Sequence, residues 1–234
     1  MPTVTRRDMI KMSFHSFIGL STALPLLNSC SNLSEQGNEN LSWNNFIEQI
    51  HELATEYGTP GFNEETYLGK VSHMAAKLNL NDKQITKFYA DYKNKRKAFP
   101  EFTKMHKEQA FQITLLEFEP GEKIPLHDHP DMSGVILCSS GNIHVENFDL
   151  LTQKSDSGKM LLKQTSDVIM VPGTIGSLSS KRGNIHSLEA KEFTRLIDVF
   201  TPPYDKRRIE ESNYFVKSKK AYKGKFGLFE SVYM

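Results

Sequence analysis

Gly121-Glu122-Lys123-Ile124-Pro125-Leu126-His127-Asp128-His129-Pro130 is the stretch on which the reading of this chain turns. In an extended backbone, residues two apart project to the same face, so His127 and His129 point together. Pro125 and Pro130 bracket the pair and stiffen its main chain. Two imidazoles on one face suit a divalent transition metal. A lone His-x-His is common, so a third donor on a later strand is what gives the pair weight. His144 and His186 are the downstream candidates. His186 sits on a segment late enough to fold back across a barrel, whereas His144 alternates with Ile143 and Val145 on a strand whose orientation stays open. His15, His51, His73 and His106 fall before the strand-rich region or at its start and are expected to take no part.

Around this segment the pattern is that of short strands. Apolar runs at Phe111–Phe118, Gly134–Cys138, Asn142–Phe148, Met160–Lys163, Val168–Val171, Asn184–Ala190 and Thr194–Phe200 are separated by clusters of Gly, Pro, Asp and Ser. Strands of this length and spacing predict a mainly β fold, an antiparallel sandwich or barrel, over residues 106–234. Upstream the period changes. Trp43, Phe46, Ile47, Ile50, Leu53, Ala54 and Tyr57 mark one face of a helix with Ser42 as its N-cap, and Gly58-Thr59-Pro60-Gly61 ends it. Tyr67, Val71, Met74, Ala75 and Leu78 predict a second helix. Asn81 is expected to cap a third, with Ile85, Phe88, Tyr89 and Tyr92 facing inward and a basic run, Lys93 to Lys97, at its end. Residues 42–105 are thus read as an N-terminal helical segment.

Further back, Thr3-Val-Thr-Arg6-Arg7-Asp-Met-Ile-Lys11 resembles a twin-arginine export signal. A modestly apolar stretch follows, and Leu27-Asn28-Ser29-Cys30 resembles a lipobox. Residues 1–29 are read as a cleaved leader and 30–41 as a polar linker. The expectation is an exported chain held on the periplasmic side of the envelope by lipid on Cys30. Ser31, where an Asp would favour retention at the inner membrane, points to the outer one.

The whole chain has 234 residues, 38% of them apolar, enough to bury a core and too few for two comfortable domains. Lys and Arg number 29 against 28 Asp and Glu, so no basic surplus marks a nucleic-acid partner. With Cys30 acylated, Cys138 is a lone thiol and no disulfide is expected; it reads as a small buried apolar residue.

Gly121-x5-His127-x-His129 resembles the first motif of the cupins, and Gly141 stands at that motif's end. Ordinary cupins add a Glu four or five residues past the second His; here those places hold Ser133 and Gly134. A closer resemblance is to the cysteamine dioxygenase and plant cysteine oxidase family of thiol dioxygenases. It is carried by Pro125-Leu-His127-x-His129-Pro130-x-Met132, by Asn184-Ile-His186, and by Asp198-Val-Phe-Thr-Pro202-Pro203-Tyr204-Asp205. The likeness implies a cupin barrel (a double-stranded β-helix), Fe(II) on His127, His129 and His186, and oxidation of a thiol to a sulfinic acid by O2. It further implies that Asp198 and Tyr204 line the substrate site. Asp198 is expected to pair with the ammonium of a small aminothiol or of an N-terminal cysteinyl peptide, and Tyr204 to steer the thiol or hydrogen-bond the oxidant.

The physical chemistry agrees with that implication. Three neutral donors leave the full charge on the cation, which draws a thiolate and lowers its pKa. Relatives can carry a Cys two residues before a Tyr near the C-terminus and form a thioether; Ser212-Asn213-Tyr214 excludes that bond here. A monomer is expected. A non-catalytic metal- or ligand-binding cupin at the envelope and a ring-cleaving cupin dioxygenase remain the alternatives, and Arg195, Glu117 and Lys123 are open candidates for the pocket lining.

Overall fold

Ser42 accepts a hydrogen bond from the Asn45 amide and so starts α1 (Trp43–Ala54) where the capping pattern puts it. The chain is described here by a computed structural model covering residues 40–91 and 100–234. The expected leader, the linker up to residue 39 and the run Lys93 to Lys97 lie outside the described residues. Asn63 caps α2 (Glu64–Ala76), and Asp82, rather than Asn81, caps α3 (Lys83–Ala90) by accepting from the Gln84 amide. The other carboxylate oxygen of Asp82 accepts from the Trp43 amide and ties α3 to the start of α1.

Among the described residues, eleven strands follow. One sheet runs β1 (Glu101–Lys107), β2 (Gln112–Phe118), β9 (Thr194–Thr201), β4 (Ser133–Ser140) and β7 (Ile175–Leu178), with every neighbouring pair antiparallel. The other runs β10 (Phe215–Lys217), β11 (Leu228–Tyr233), β6 (Met160–Met170), β5 (Ile143–Lys154), β8 (Ile185–Ala190) and β3 (Lys123–His127). A short helix, α4 (Lys206–Glu211), joins β9 to β10. Leu116, Phe118, Ile136, Cys138 and Leu196 of the first sheet pack against Ile124, Ile143, Val145, Met170 and Leu188 of the second, so the sheets face each other as a mainly β cupin barrel. Alternation sends Ile113, Leu115, Val135, Leu137, Ile197 and Val199 to the outer face, where Trp43, Phe46, Ile50, Val71 and Ile85 of the helices cover them.

Three expectations need correction. Met160–Lys163 and Val168–Val171 are one strand, β6, because the polar residues between them keep their pairing with β5 and turn outward. Strand β1 begins at Glu101, ahead of the 105/106 boundary, and shows only Met105 buried, so it lacks an apolar signature. The tail, within the expected 106–234 barrel but carrying none of its named apolar runs, forms β10 and β11. The second sheet closes on itself: β10 pairs with β11, and Tyr214 bridges to His127 at the end of β3.

Candidate metal centre

His127 is the last residue of β3, His129 lies just past it, and His186 is the second residue of β8, directly opposite His127 in the ladder. One ring nitrogen from each lies within 4.8 Å of the others, and all three side chains are buried. The polypeptide reverses after His129 through Asp131, whose φ of 55° lies in the left-handed region, and the Met132 amide donates to the His129 carbonyl. Asn184 secures the other side of this turn. Its Oδ1 accepts from the His129 amide at 2.7 Å, and its Nδ2 donates to the His129 carbonyl at 3.0 Å. The segment bearing the third imidazole thus grips the main chain of the second.

Tautomers follow from the partners. His127 Nδ1 donates to the Pro125 carbonyl at 2.8 Å, leaving Nε2 free as a lone-pair donor. His129 Nδ1 lies 3.3 Å from the Tyr204 hydroxyl, while His129 Nε2 faces His186 Nε2 at 2.9 Å. Burial holds all three imidazoles below the ordinary histidine range, most strongly at His129 and His186, so they are neutral. These residues fit a divalent cation. Neighbouring donors at right angles around an ion, at bonds of about 2.1 Å, stand about 3.0 Å apart, close to the Nε2 pair.

Among the described residues no carboxylate joins the imidazoles, for reasons visible at Ser133 and Gly134. Ser133 Oγ donates to Glu64 on α2. A Cβ on Gly134 would stand 2.7 Å from the Phe200 ring, which itself packs 4.5 Å from the His129 ring. Phe200, Met132, Leu178 and Tyr204 form an apolar cluster beside His129.

Asp198 lies on the inward face of β9, opposite Thr114 and Ile136. Its side chain is buried, Oδ1 has no hydrogen-bond partner, and burial pushes the carboxyl well above the usual range. Tyr204, in the turn after the cis Thr201–Pro202 peptide, is kept protonated by burial and by nearby Asp198. Its hydroxyl meets Nδ1 of His129, on the side of the ring away from the imidazole cluster.

Gln112 was not singled out from sequence. It shares the inward face of β2 with Thr114, donates to it at 2.9 Å, and leaves Oε1 buried without a partner. Asp128, Asn213 and the stacking of Tyr214 on His127 were likewise missed, since their partners are remote in sequence.

His144 is half-exposed and bound to Asp167 at 2.6 Å, outside the cluster. His51 and His106 share Glu108 between α1 and β1. Arg195 and Glu117 form a 2.7 Å ion pair against Tyr89, and Lys123 is exposed at the start of β3. A cavity of about 1270 Å³ reaches His186 and Phe200 and extends past Asn147, Ser166, Ser179 and Tyr57; of the expected pocket residues, Asp198 and Tyr204 do not line it, and neither do Arg195, Glu117 or Lys123.

A buried set of three neutral imidazoles in a cupin barrel defines a metal-binding cupin of the three-histidine kind. The family described as PCO_ADO, the plant cysteine oxidases and cysteamine dioxygenases, matches residues 70–227, well over half of the chain, and the chain belongs to that family. It is 24% identical over 181 residues to 2-aminoethanethiol dioxygenase from Homo sapiens, covering 67% of this chain and 66% of that protein. It is 28% identical over 109 residues to Plant cysteine oxidase 2 from Arabidopsis thaliana, covering 45% of this chain and 40% of that protein. The chain therefore matches less than two thirds of the length of either relative. A cupin superfamily protein from Desulfitobacterium hafniense is 14% identical, with a TM-score of 0.34 over 47% of this chain and 83% of that one.

Proposed function

We propose that the protein is an iron(II)-dependent thiol dioxygenase that converts a small aminothiol, or the thiol of an N-terminal cysteinyl peptide, to a sulfinic acid with O2. The observation that carries this reading is the donor set: three neutral imidazoles and no carboxylate, in a member of a family whose relatives are named for aminothiol and cysteine oxidation. His127, His129 and His186 would hold the iron, which supplies redox chemistry between a thiolate and dioxygen brought side by side.

The chain's own residues set the conditions. Tyr204 accepts from His129 Nδ1–H and so keeps Nε2 as the donor atom. Phe200, Met132 and Leu178 keep water from that side of the ring and favour charge pairing within the site. Asp198 presents an acceptor with no partner, which a substrate ammonium would satisfy while drawing the carboxyl into its ionised form. The cavity reaching His186 has room for a free aminothiol and for the first residues of a peptide.

The test is oxygen uptake by iron-loaded protein with 2-aminoethanethiol, free cysteine and a cysteine-initiated peptide, with product mass read in parallel. A gain of two oxygen atoms on one of these thiols is expected, with loss of both metal and activity in His186→Ala. Full activity in that variant, or zinc-loaded protein with no thiol-dependent uptake after iron reconstitution, would overturn the assignment.

We further propose that the protein is exported through the twin-arginine route and anchored at the periplasmic face by lipid on Cys30, with the outer membrane favoured and the body monomeric. The support is the Arg6-Arg7 and Leu27–Cys30 pattern. Among the described residues no helix is long and apolar enough to cross a membrane. Radiolabelled palmitate should enter the full chain and not Cys30→Ser; equal labelling of both would reject the anchor.

A further inference from the structure

The residue between the two ligands of the His-x-His segment is itself a potential metal ligand, and the structure gives it another partner. Asp128 projects away from the imidazoles, as alternation requires, and meets the tail of the chain. Asn213 donates to it twice, from its amide to Oδ1 at 2.7 Å and from Nδ2 to Oδ2 at 3.0 Å. The Asp128 amide returns a bond to the Asn213 carbonyl at 3.1 Å. Both carboxylate oxygens are thus engaged, and three hydrogen bonds fix two segments 85 residues apart. The next residue carries the contact to the ligand itself: Tyr214 bridges to His127, and its ring stacks on that imidazole at 5.7 Å and 27°. Tyr214 is in turn held by the Met234 amide, which donates to its carbonyl at 2.8 Å beside the β10–β11 pairing.

We infer that Asn213 is a positioning residue for the metal centre. By clasping Asp128 it holds the His127–His129 backbone in the geometry that converges on His186. This rests on the reading of the three histidines as the metal site. The tail of the chain, remote in sequence, therefore sets the affinity of the centre. Partners that orient metal ligands are typically worth roughly 10- to 100-fold in affinity.

The side chains of the pair can trade places, which supplies the test. Cobalt(II) is titrated into the apo-protein and followed by its visible d–d absorption, and the melting temperature of each apo-protein is measured alongside. Asn213→Ala, Asn213→Asp and Asp128→Asn should each weaken cobalt binding by about tenfold or more and alter the absorption envelope, with apo melting temperatures near that of the parent. The reciprocal exchange, Asp128→Asn with Asn213→Asp, restores one donor facing one acceptor and should recover affinity to within about threefold. If Asn213→Ala does not fold, the two polar singles and the exchange carry the comparison. Unchanged affinity and spectrum in the singles would overturn the clasp. So would failure of the exchange to restore binding, or a loss of binding that merely follows a falling apo melting temperature. Absence of cobalt binding by the parent protein would instead reject the metal site on which the clasp depends.

Discussion

Cys138 is the small buried apolar residue that the sequence predicts, and its surroundings silence the thiol. It lies fully buried on the inward face of β4 among Leu116, Ile143 and Leu196, and burial pushes its thiol up to about 11. Only the thiolate attacks an electrophile, so at pH 8 about one molecule in a thousand would be competent even if reagent could reach it. Peptide mapping after iodoacetamide treatment at pH 8 should find Cys138 unmodified in the folded protein and fully alkylated in guanidinium. Modification at the rate of a free cysteine would mean that the barrel interior opens readily. Gly141, at the end of the cupin-like motif, is explained at the same scale: its φ is 77°, and a Cβ there would stand 2.2 Å from the Phe193 carbonyl oxygen. That His127 and His129 point together was legible from spacing, because strand alternation makes i and i+2 neighbours in space, whereas the choice of His186 over His144 came from the family resemblance. What Asp198, Gln112 and Asn213 face was not, because each answer depends on a strand paired from far along the chain.

Helix α2 is attached to the barrel by its first residue. Glu64 accepts from Ser133 Oγ at 2.6 Å, from the Ser180 amide at 2.6 Å and from Ser180 Oγ at 3.1 Å. A carboxylate in the first turn is also favoured by the helix dipole. It therefore joins the helix both to β4 and to the loop that leads into β8 and His186. Glu64→Ala strands the buried Ser133 hydroxyl and should lower stability by about 1–3 kcal/mol, read as a reduced urea midpoint with unchanged slope. An unchanged midpoint would mean that water replaces the carboxylate at no cost. The helices themselves were legible from their 3.6-residue period, and α1 also from its cap Ser42, whereas α3 is capped by Asp82 and not by Asn81. Strands β7, β10 and β11 were not: they are short, mix aromatic, charged and small residues, and are defined by what they pair with. The polar middle of β6 misled for a related reason. Gln164, Ser166 and Asp167 resemble a turn, yet Gln164 Nε2 donates to Glu146 and Asp167 while the ladder with β5 runs on.

Across the described residues, the two faces of the first sheet serve different ends. The outer face is covered by α1, α2 and α3, and the inner face carries Asp198, Phe200 and Gln112 toward the site. Arg195 belongs to the structural side of this division: its pairing with Glu117 and its stacking on Tyr89 and Phe193 join the end of the barrel to α3. Closure of the second sheet has a consequence for association. Strand β3, with the histidine pair at its end, meets β10 and offers little unpaired backbone to a passing chain, whereas β1 and β7 end the first sheet with open ladders. Strand-to-strand stacking in concentrated or stressed samples should therefore begin at those two margins, leaving the histidine-bearing loop intact within the aggregate.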